Sequence, residues 1–286
     1  MYIPLRRPVV LLAAVALAAT MAIVTSPAVS ATPVQTCSGT PDSPGVLASS
    51  NGPAQVSGFC VVSGGRTVIN GALTLLPGSG LLAAFAHSPL LVNGSLTVQS
   101  GATLFLGCDP QEFPCMDDPN LIGSSTVNGW LIADHPLGVV VHRSRINGSV
   151  VQTGGGGGVN CEPSGIFAVF GSPAFSTYEL GSINGNLTIS GVKSCWMGVE
   201  DMRINGNVTI TNNQLADPDA IEITAGHFNG NLSCTGNSAV WDNNEGPGGT
   251  LFPRIPNPNV VTGTRSGQCV LASPTTNPGS PGPGPF

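Results

Sequence analysis

Seven segments of the chain repeat one pattern of hydrophobic and polar positions around an Asn-Gly pair. In the copy at residues 183–189, isoleucine, glycine, leucine and isoleucine alternate with two asparagines and a threonine. A period of two predicts a β-strand with one buried face. The asparagines of the seven pairs are spaced by 23, 35, 19, 37, 21 and 24 residues: Asn70, Asn93, Asn128, Asn147, Asn184, Asn205 and Asn229. Self-similarity near this period is typical of stacked repeats.

Two all-β folds accommodate this pattern. We predict a single-stranded parallel β-helix, or β-solenoid, of about eight coils, because asparagines in one register can hydrogen-bond along a column of stacked coils. The alternative is an antiparallel β meander or sandwich, since Asn-Gly between alternating hydrophobic residues is also a strong hairpin signal. A hairpin gives no reason for Leu-Thr-Ile to follow each pair in register, so we prefer the solenoid. The two longest spacings predict coils with insertions.

The N-terminus has the three parts of an export signal. Arg6 and Arg7 precede an apolar run at residues 8–24, and small residues at 28–31 offer a cleavage site. An uncleaved membrane anchor is the alternative. We therefore expect a secreted, extracellular protein that meets the membrane only through this segment. The expected organisation has three parts: a signal peptide at 1–31, a β-helix domain with disulfide-linked N- and C-terminal caps at 32–271, and a disordered Pro- and Gly-rich tail at 272–286.

Composition narrows the range of partners. Charged residues make up 8% of the chain, against about 25% in an ordinary soluble domain. The net charge is −6, and removal of the signal would leave seven basic residues against 15 acidic ones. Such a balance offers no basic patch to follow a phosphate backbone, so we expect no nucleic-acid partner.

All eight cysteines follow the signal segment, and an even count in an exported chain suggests disulfides. Eight cysteines allow 105 connectivities. Our hypothesis pairs them in chain order: Cys37 with Cys60, Cys108 with Cys115, Cys161 with Cys195, and Cys234 with Cys269. A structural zinc site is the weaker alternative, because no two cysteines have Cys-x-x-Cys spacing.

Alignment on the repeated asparagine gathers charged residues into columns. Five positions before it lie His142, Glu179 and Glu200, four before it lie Arg143 and Asp201, and two before it lie Arg145 and Arg203. We predict that these charged residues cluster on one face of the solenoid. Carboxylates one coil apart would stand about 5 Å from each other, near the spacing of a retaining glycosidase pair. The arginines could hold an acidic sugar. The alternative, which we favour, is a row of charges paired between coils.

Other candidate sites are weaker, and no cofactor is implied. Asp217, Asp219 and Glu222 could bind a hard cation through oxygen, although the segment 216–219 is also typical of a turn. Three tryptophans could stack on sugar rings or pack in the core: Trp130, Trp196 and Trp241.

Three segments carry a resemblance to known proteins. Residues 183–189, 229–237 and 262–269 resemble a group of exported bacterial Asn-Gly-repeat proteins of uncharacterised function. The resemblance implies a right-handed parallel β-helix with a C-terminal cap, in a pectate-lyase-like architecture, and no known reaction. The calcium-binding aspartates and catalytic arginine of pectate-lyase-like proteins have no matching motif in this chain.

These observations lead to two hypotheses about function. The first is a non-catalytic structural or surface-interaction protein, because no catalytic motif stands out and the repeat is regular. The alternative is an enzyme active on polysaccharides, a lyase or a glycoside hydrolase, or a carbohydrate-binding β-helix. A polysaccharide of the cell surface or the environment is the expected partner. The sequence does not determine the oligomeric state.

Overall fold

The chain winds as a parallel β-helix. In the computed structural model, which describes residues 33–110, 113–217, 221–238, 240–242 and 259–270, the strands form three long sheets of ten, nine and eight strands. Every pairing between two strands is parallel. This confirms the predicted solenoid and excludes the antiparallel alternative. Eight successive coils contribute a strand to all three sheets, because sheet 3 has eight strands.

The strands are numbered in chain order. Sheet 1 contains β1 (Gln35–Cys37), β3 (Ala54–Val56), β6 (Leu73–Leu75), β9 (Leu96–Val98), β12 (Leu131–Asp134), β15 (Val150–Thr153), β18 (Leu187–Ser190), β22 (Val208–Thr211), β26 (Leu232–Thr235) and β29 (Arg265–Gly267). Sheet 2 contains β2 (Gly45–Val46), β4 (Phe59–Val61), β7 (Gly80–Ala83), β10 (Thr103–Leu106), β13 (Gly138–His142), β16 (Phe175–Glu179), β20 (Trp196–Glu200), β24 (Ile221–Thr224) and β27 (Trp241–Asp242). Sheet 3 contains β5 (Thr67–Ile69), β8 (Leu90–Val92), β11 (Thr126–Val127), β14 (Arg145–Ile146), β17 (Ser182–Ile183), β21 (Arg203–Ile204), β25 (His227–Phe228) and β28 (Val260–Val261). Within the described residues, a short pair, β19 (Lys193–Ser194) and β23 (Gln214–Leu215), completes the strands, and one 3₁₀ helix spans Gly165–Phe170.

Columns of aliphatic side chains fill the interior of the solenoid. The hydrophobic positions of each repeat point inward and stack on the same position of the next coil. One such column lies in sheet 3 and is almost fully buried: Ile69, Val92, Val127, Ile146, Ile183, Ile204 and Phe228. Full burial of one such side chain is worth about 1.5–3 kcal/mol, so the repeated inward positions supply most of the stability.

The repeated asparagines form a continuous hydrogen-bonded ladder. The amide of Asn93 donates to Asn70, and each later asparagine donates to its predecessor over distances of 2.7–3.1 Å. The ladder begins more weakly, where Asn70 donates to Asn51 at 3.5 Å. The column of asparagines is therefore present as predicted, and it holds consecutive coils in register.

The glycine of each pair permits the coils to approach closely. A Cβ atom on Gly94 would lie 2.7 Å from the backbone nitrogen of Ala72 and from the carbonyl of Gly71, which belong to the preceding coil. The amide of Gly94 donates to the carbonyl oxygen of Gly71 at 3.0 Å. Gly94 does not adopt a positive φ. The Asn-Gly pair therefore serves stacking and not a hairpin turn.

Two insertions interrupt the regular coils and cover the outer face of sheet 2. The first lies between β10 and β11, and the second lies between β15 and β16 and includes the 3₁₀ helix. Their apolar side chains form a second hydrophobic cluster outside the main core, in which Phe105 lies 5.3 Å from Phe167 between ring centroids. Asp117 anchors the first insertion by accepting hydrogen bonds from the backbone amides of Ala86 and His87, at 2.7 and 2.9 Å.

Four disulfides link the cysteines in chain order: Cys37–Cys60, Cys108–Cys115, Cys161–Cys195 and Cys234–Cys269. The first joins β1 to β4, which continue sheets 1 and 2 at the N-terminal end of the described solenoid. The second closes the first insertion, and the third ties the second insertion to the following coil. Four disulfides fit an oxidising environment such as the extracellular space.

Candidate functional site

Three of the five predicted catalytic candidates lie in one column on sheet 2. His142 pairs in register with Glu179, Glu179 with Glu200, and Glu200 with Thr224. Neighbouring parallel strands lie about 4.8 Å apart, so the two carboxylates occupy adjacent levels. They point away from the interior, because the alternate residues Tyr178 and Val199 belong to the main core.

This column is enclosed. The exposed fractions of His142, Glu179 and Glu200 are 3%, 1% and 5%. Nδ1 of His142 lies 3.0 Å from Oε2 of Glu179, the ring of Phe113 from the first insertion stacks on His142 at 5.3 Å, and the hydroxyl of Thr177 donates to Oε1 of Glu179. A sugar polymer could reach these carboxylates only if the covering residues moved.

Charged residues beside this column occupy a strained turn between sheets 2 and 3. Arg143, Leu180, Asp201 and Ala225 all adopt the left-handed conformation, with φ between 43° and 55°. Nε of Arg143 donates to the fully buried Asp109 at 3.3 Å. Partial burial raises the pKa of Asp201, and the nearby Arg143 and a histidine on β25 offset part of this rise. The sequence grouped Arg143 and Asp201 with the glutamates, but the turn separates them from that column.

The predicted arginines form a different, exposed column on sheet 3. Arg145 pairs in register with Ser182, Ser182 with Arg203, and Arg203 with His227. Nε of Arg145 donates to Oδ1 of Asn147 at 2.7 Å. Among the described residues, neither arginine has a carboxylate within 4.0 Å. The single predicted face therefore divides into an enclosed carboxylate column and an exposed basic column.

Two of the three residues proposed for a cation lie in the described part of the chain. Asp217 and Glu222 are buried, and Glu222 accepts a hydrogen bond from the indole of Trp196 at 3.0 Å. Asp219 lies outside the described residues. The only described trio of metal-capable side chains whose ligand atoms lie within 4.8 Å of one another joins Asp217 to two cysteines, and those cysteines share a disulfide.

The structure also contains a surface groove of about 300 Å³ over the N-terminal coils. Many of its lining residues are glycines, and the others include Phe59, Thr103, Leu137 and Ile166. None of its lining residues is ionisable, so the groove can accommodate a ligand but offers no side chain for acid–base chemistry.

Sequence reasoning missed the residues that pack against His142 and pair with Arg143. Phe113 and Asp109 lie in the first insertion, which does not repeat, so no column predicted their positions. It also missed a buried polar group inside the core, where Tyr178 donates to Gln152 at 2.8 Å and Gln152 donates to Ser176 at 2.9 Å. Burial raises the pKa of Tyr178 far above its ordinary value, so its hydroxyl stays protonated as a donor.

The fold and its surfaces define a disulfide-linked parallel β-helix with an exposed amide ladder and an enclosed carboxylate column. Comparison with known proteins finds no matching family model, no matching curated protein and no matching solved structure. None of the helices in the described ranges is both long and apolar enough to span a membrane.

Proposed function

We propose that the protein is a secreted β-solenoid that binds a surface or an extracellular polymer and does not catalyse a reaction. The observation that carries this proposal is the contrast between two sets of residues. The carboxylates best spaced for glycoside hydrolysis, Glu179 and Glu200, are enclosed, whereas the Asn ladder and the arginine column are open to solvent. A binding protein needs its recognition groups outside, and a hydrolase needs its carboxylates accessible to the glycosidic bond.

The rigidity of the solenoid also supports this role. Each coil is fixed to the next by strand pairing, the Asn ladder joins most of the coils, and disulfides join coils at both ends, so exposed side chains repeat on a stiff framework. Pre-organised recognition groups lose little conformational entropy when a ligand binds. The low charge of the chain leaves a surface rich in amides and hydroxyls, which suits a hydrated polymer more than a compact protein partner.

The test uses the full chain, exported so that its disulfides form. The protein is mixed with insoluble polysaccharides and with isolated cell envelopes, and both its depletion from solution and the release of reducing ends are measured. We expect depletion without release. The reduced, unfolded chain serves as the control and should not bind.

The alternative is a glycoside hydrolase or polysaccharide lyase, favoured by the adjacency of Glu179 and Glu200 in register. It predicts release of reducing ends, and that release should disappear in Glu200→Gln while binding persists. This outcome would replace the proposed binding function with an enzymatic one.

A further inference from the structure

An exposed basic column crosses sheet 3 of an acidic protein. Arg145, Arg203 and His227 occupy the same position of their coils, with Ser182 between the arginines. No described carboxylate lies within 4.0 Å of any of the three, although Asp201 occupies the adjacent turn. Because the chain has only nine lysines and arginines and a net charge of −6, this local excess of positive charge favours an anionic ligand.

The arginines recur at a fixed interval along the solenoid. They lie two strand levels apart, which corresponds to about 10 Å at the usual spacing of parallel strands. Two consecutive rings of an extended polysaccharide span a comparable length. A linear polymer lying along the coil axis could therefore present one acidic group to Arg145 and another to Arg203.

The next column provides hydrogen bonds for such a polymer. Asn184 and Asn205 each use one amide hydrogen and one oxygen lone pair in the ladder. An asparagine side chain has two amide hydrogens and two lone pairs, so each residue keeps a donor and an acceptor for hydroxyl groups. Beside Arg145, Asn147 keeps only a donor, because its oxygen already accepts from Asn184 and from Arg145.

An apolar platform lies on sheet 1, across the Asn-Gly corner from the basic column of sheet 3. Trp130 follows the Asn-Gly pair of the preceding coil, is 52% exposed, and lies over Gly148, whose missing Cβ leaves room for the indole. Ile132 and Val151 pair beside it at positions that carry threonine in most other coils. An exposed indole among amides and hydroxyls suits a sugar ring, which has apolar C–H faces and polar edges.

We infer that the corner between sheets 3 and 1, from Trp130 to His227, binds a linear polysaccharide that bears carboxylates. This inference rests on the proposed binding function and names its ligand. The apolar platform comprises three side chains, Trp130, Ile132 and Val151. This area is much smaller than the roughly 800 Å² that each partner buries in a standard protein interface, which disfavours a protein partner. The net negative charge of the chain disfavours nucleic acid, whose charge is denser than that of a polyuronate.

The experiment measures binding of the full chain to immobilised alginate, with dextran as a neutral glycan and single-stranded DNA as a second polyanion. The test variant is Arg145→Gln combined with Arg203→Gln. The matched control is Arg66→Gln, which removes an exposed charge elsewhere on the solenoid. Trp130→Ala tests the platform, and circular dichroism verifies that each variant is folded.

We expect alginate to bind more tightly than dextran or DNA. The double variant should weaken alginate binding about tenfold, since two exposed charge-assisted contacts are lost, and Arg66→Gln should not change it. Trp130→Ala should weaken binding by a smaller factor. Equal losses in the double variant and in Arg66→Gln, or equal binding of alginate and DNA, would overturn the inference.

Failure of the inference is distinguishable from failure of the proposed function. If alginate does not bind while cell envelopes or another polysaccharide still deplete the protein from solution, the ligand assignment is wrong and the binding function stands. If nothing depletes the folded protein, both are wrong.

Discussion

Replacement of Gly94 by alanine tests whether stacking of the Asn-Gly pairs holds the solenoid together. The new Cβ would lie 2.7 Å from backbone atoms of Gly71 and Ala72, and none of these atoms can rotate away. Relief to an ordinary contact near 3.4 Å requires the coils to separate locally by about 0.7 Å. That shift stretches the hydrogen bond from Gly94 to Gly71, now 3.0 Å, and the ladder bond from Asn93 to Asn70, now 2.8 Å.

The expected loss follows from these contacts. Overpacking costs about 1–3 kcal/mol, and each weakened hydrogen bond costs up to about 1 kcal/mol, so the free energy of unfolding should fall by about 3 kcal/mol. For a domain of this size, such a loss lowers Tm by about 6–12 °C. Thermal denaturation followed by circular dichroism, at fixed pH and under non-reducing conditions, measures the change.

The matched control is Gly78→Ala in a nearby coil. Gly78 has a φ of 71°, and a Cβ there would meet no atom within 4 Å. Only the left-handed backbone opposes alanine, at a cost of about 1 kcal/mol and a Tm loss of about 2–4 °C. If Gly94→Ala lowers Tm no more than Gly78→Ala does, close stacking is not what requires glycine in the repeat.

Three further predictions concern the disulfides and the carboxyl groups. The Cys234–Cys269 bridge closes a loop of 35 residues, so its removal by paired serine substitutions should lower the free energy of unfolding by about 4 kcal/mol. An unchanged urea midpoint would contradict this prediction. Burial raises the pKa of Asp201 in the folded chain, so ionisation of this carboxyl group destabilises the fold as pH rises. An asparagine does not ionise, so Asp201→Asn should raise Tm at pH 7. It should not raise Tm at pH 3, where the aspartic acid is already protonated. Burial opposes ionisation of Asp117. Hydrogen bonds from the backbone and ring of His87 and from the backbone amide of Ala86 outweigh this effect and lower the pKa of Asp117 from 3.8 to about 2. The stability that Asp117 contributes should therefore be present above pH 4 and disappear as pH falls towards 2. We expect Asp117→Asn to increase proteolysis of the first insertion at pH 6 more than at pH 2.

The alternation around each Asn-Gly pair determined most of the regular fold. Period-two hydrophobicity identified the inward positions, such as Ile183, and the constant register of asparagine predicted the ladder through Asn184 and Asn205. The same register placed Glu179 beside Glu200 and Arg145 in one column with Arg203. These features follow from local, repeated interactions, which a single sequence records in every coil.

The tertiary structure alone decided which of these columns a ligand can reach. The insertion between β10 and β11 places Phe113 over His142 and Asp109 beside Arg143, and neither contact repeats along the chain. Alignment of the repeats therefore predicted one charged face, whereas the folded chain encloses the carboxylate column and leaves the arginine column exposed. Repeats fix position along a coil, because each copy has the same neighbours; burial depends on long-range packing of unique segments, which no local pattern encodes.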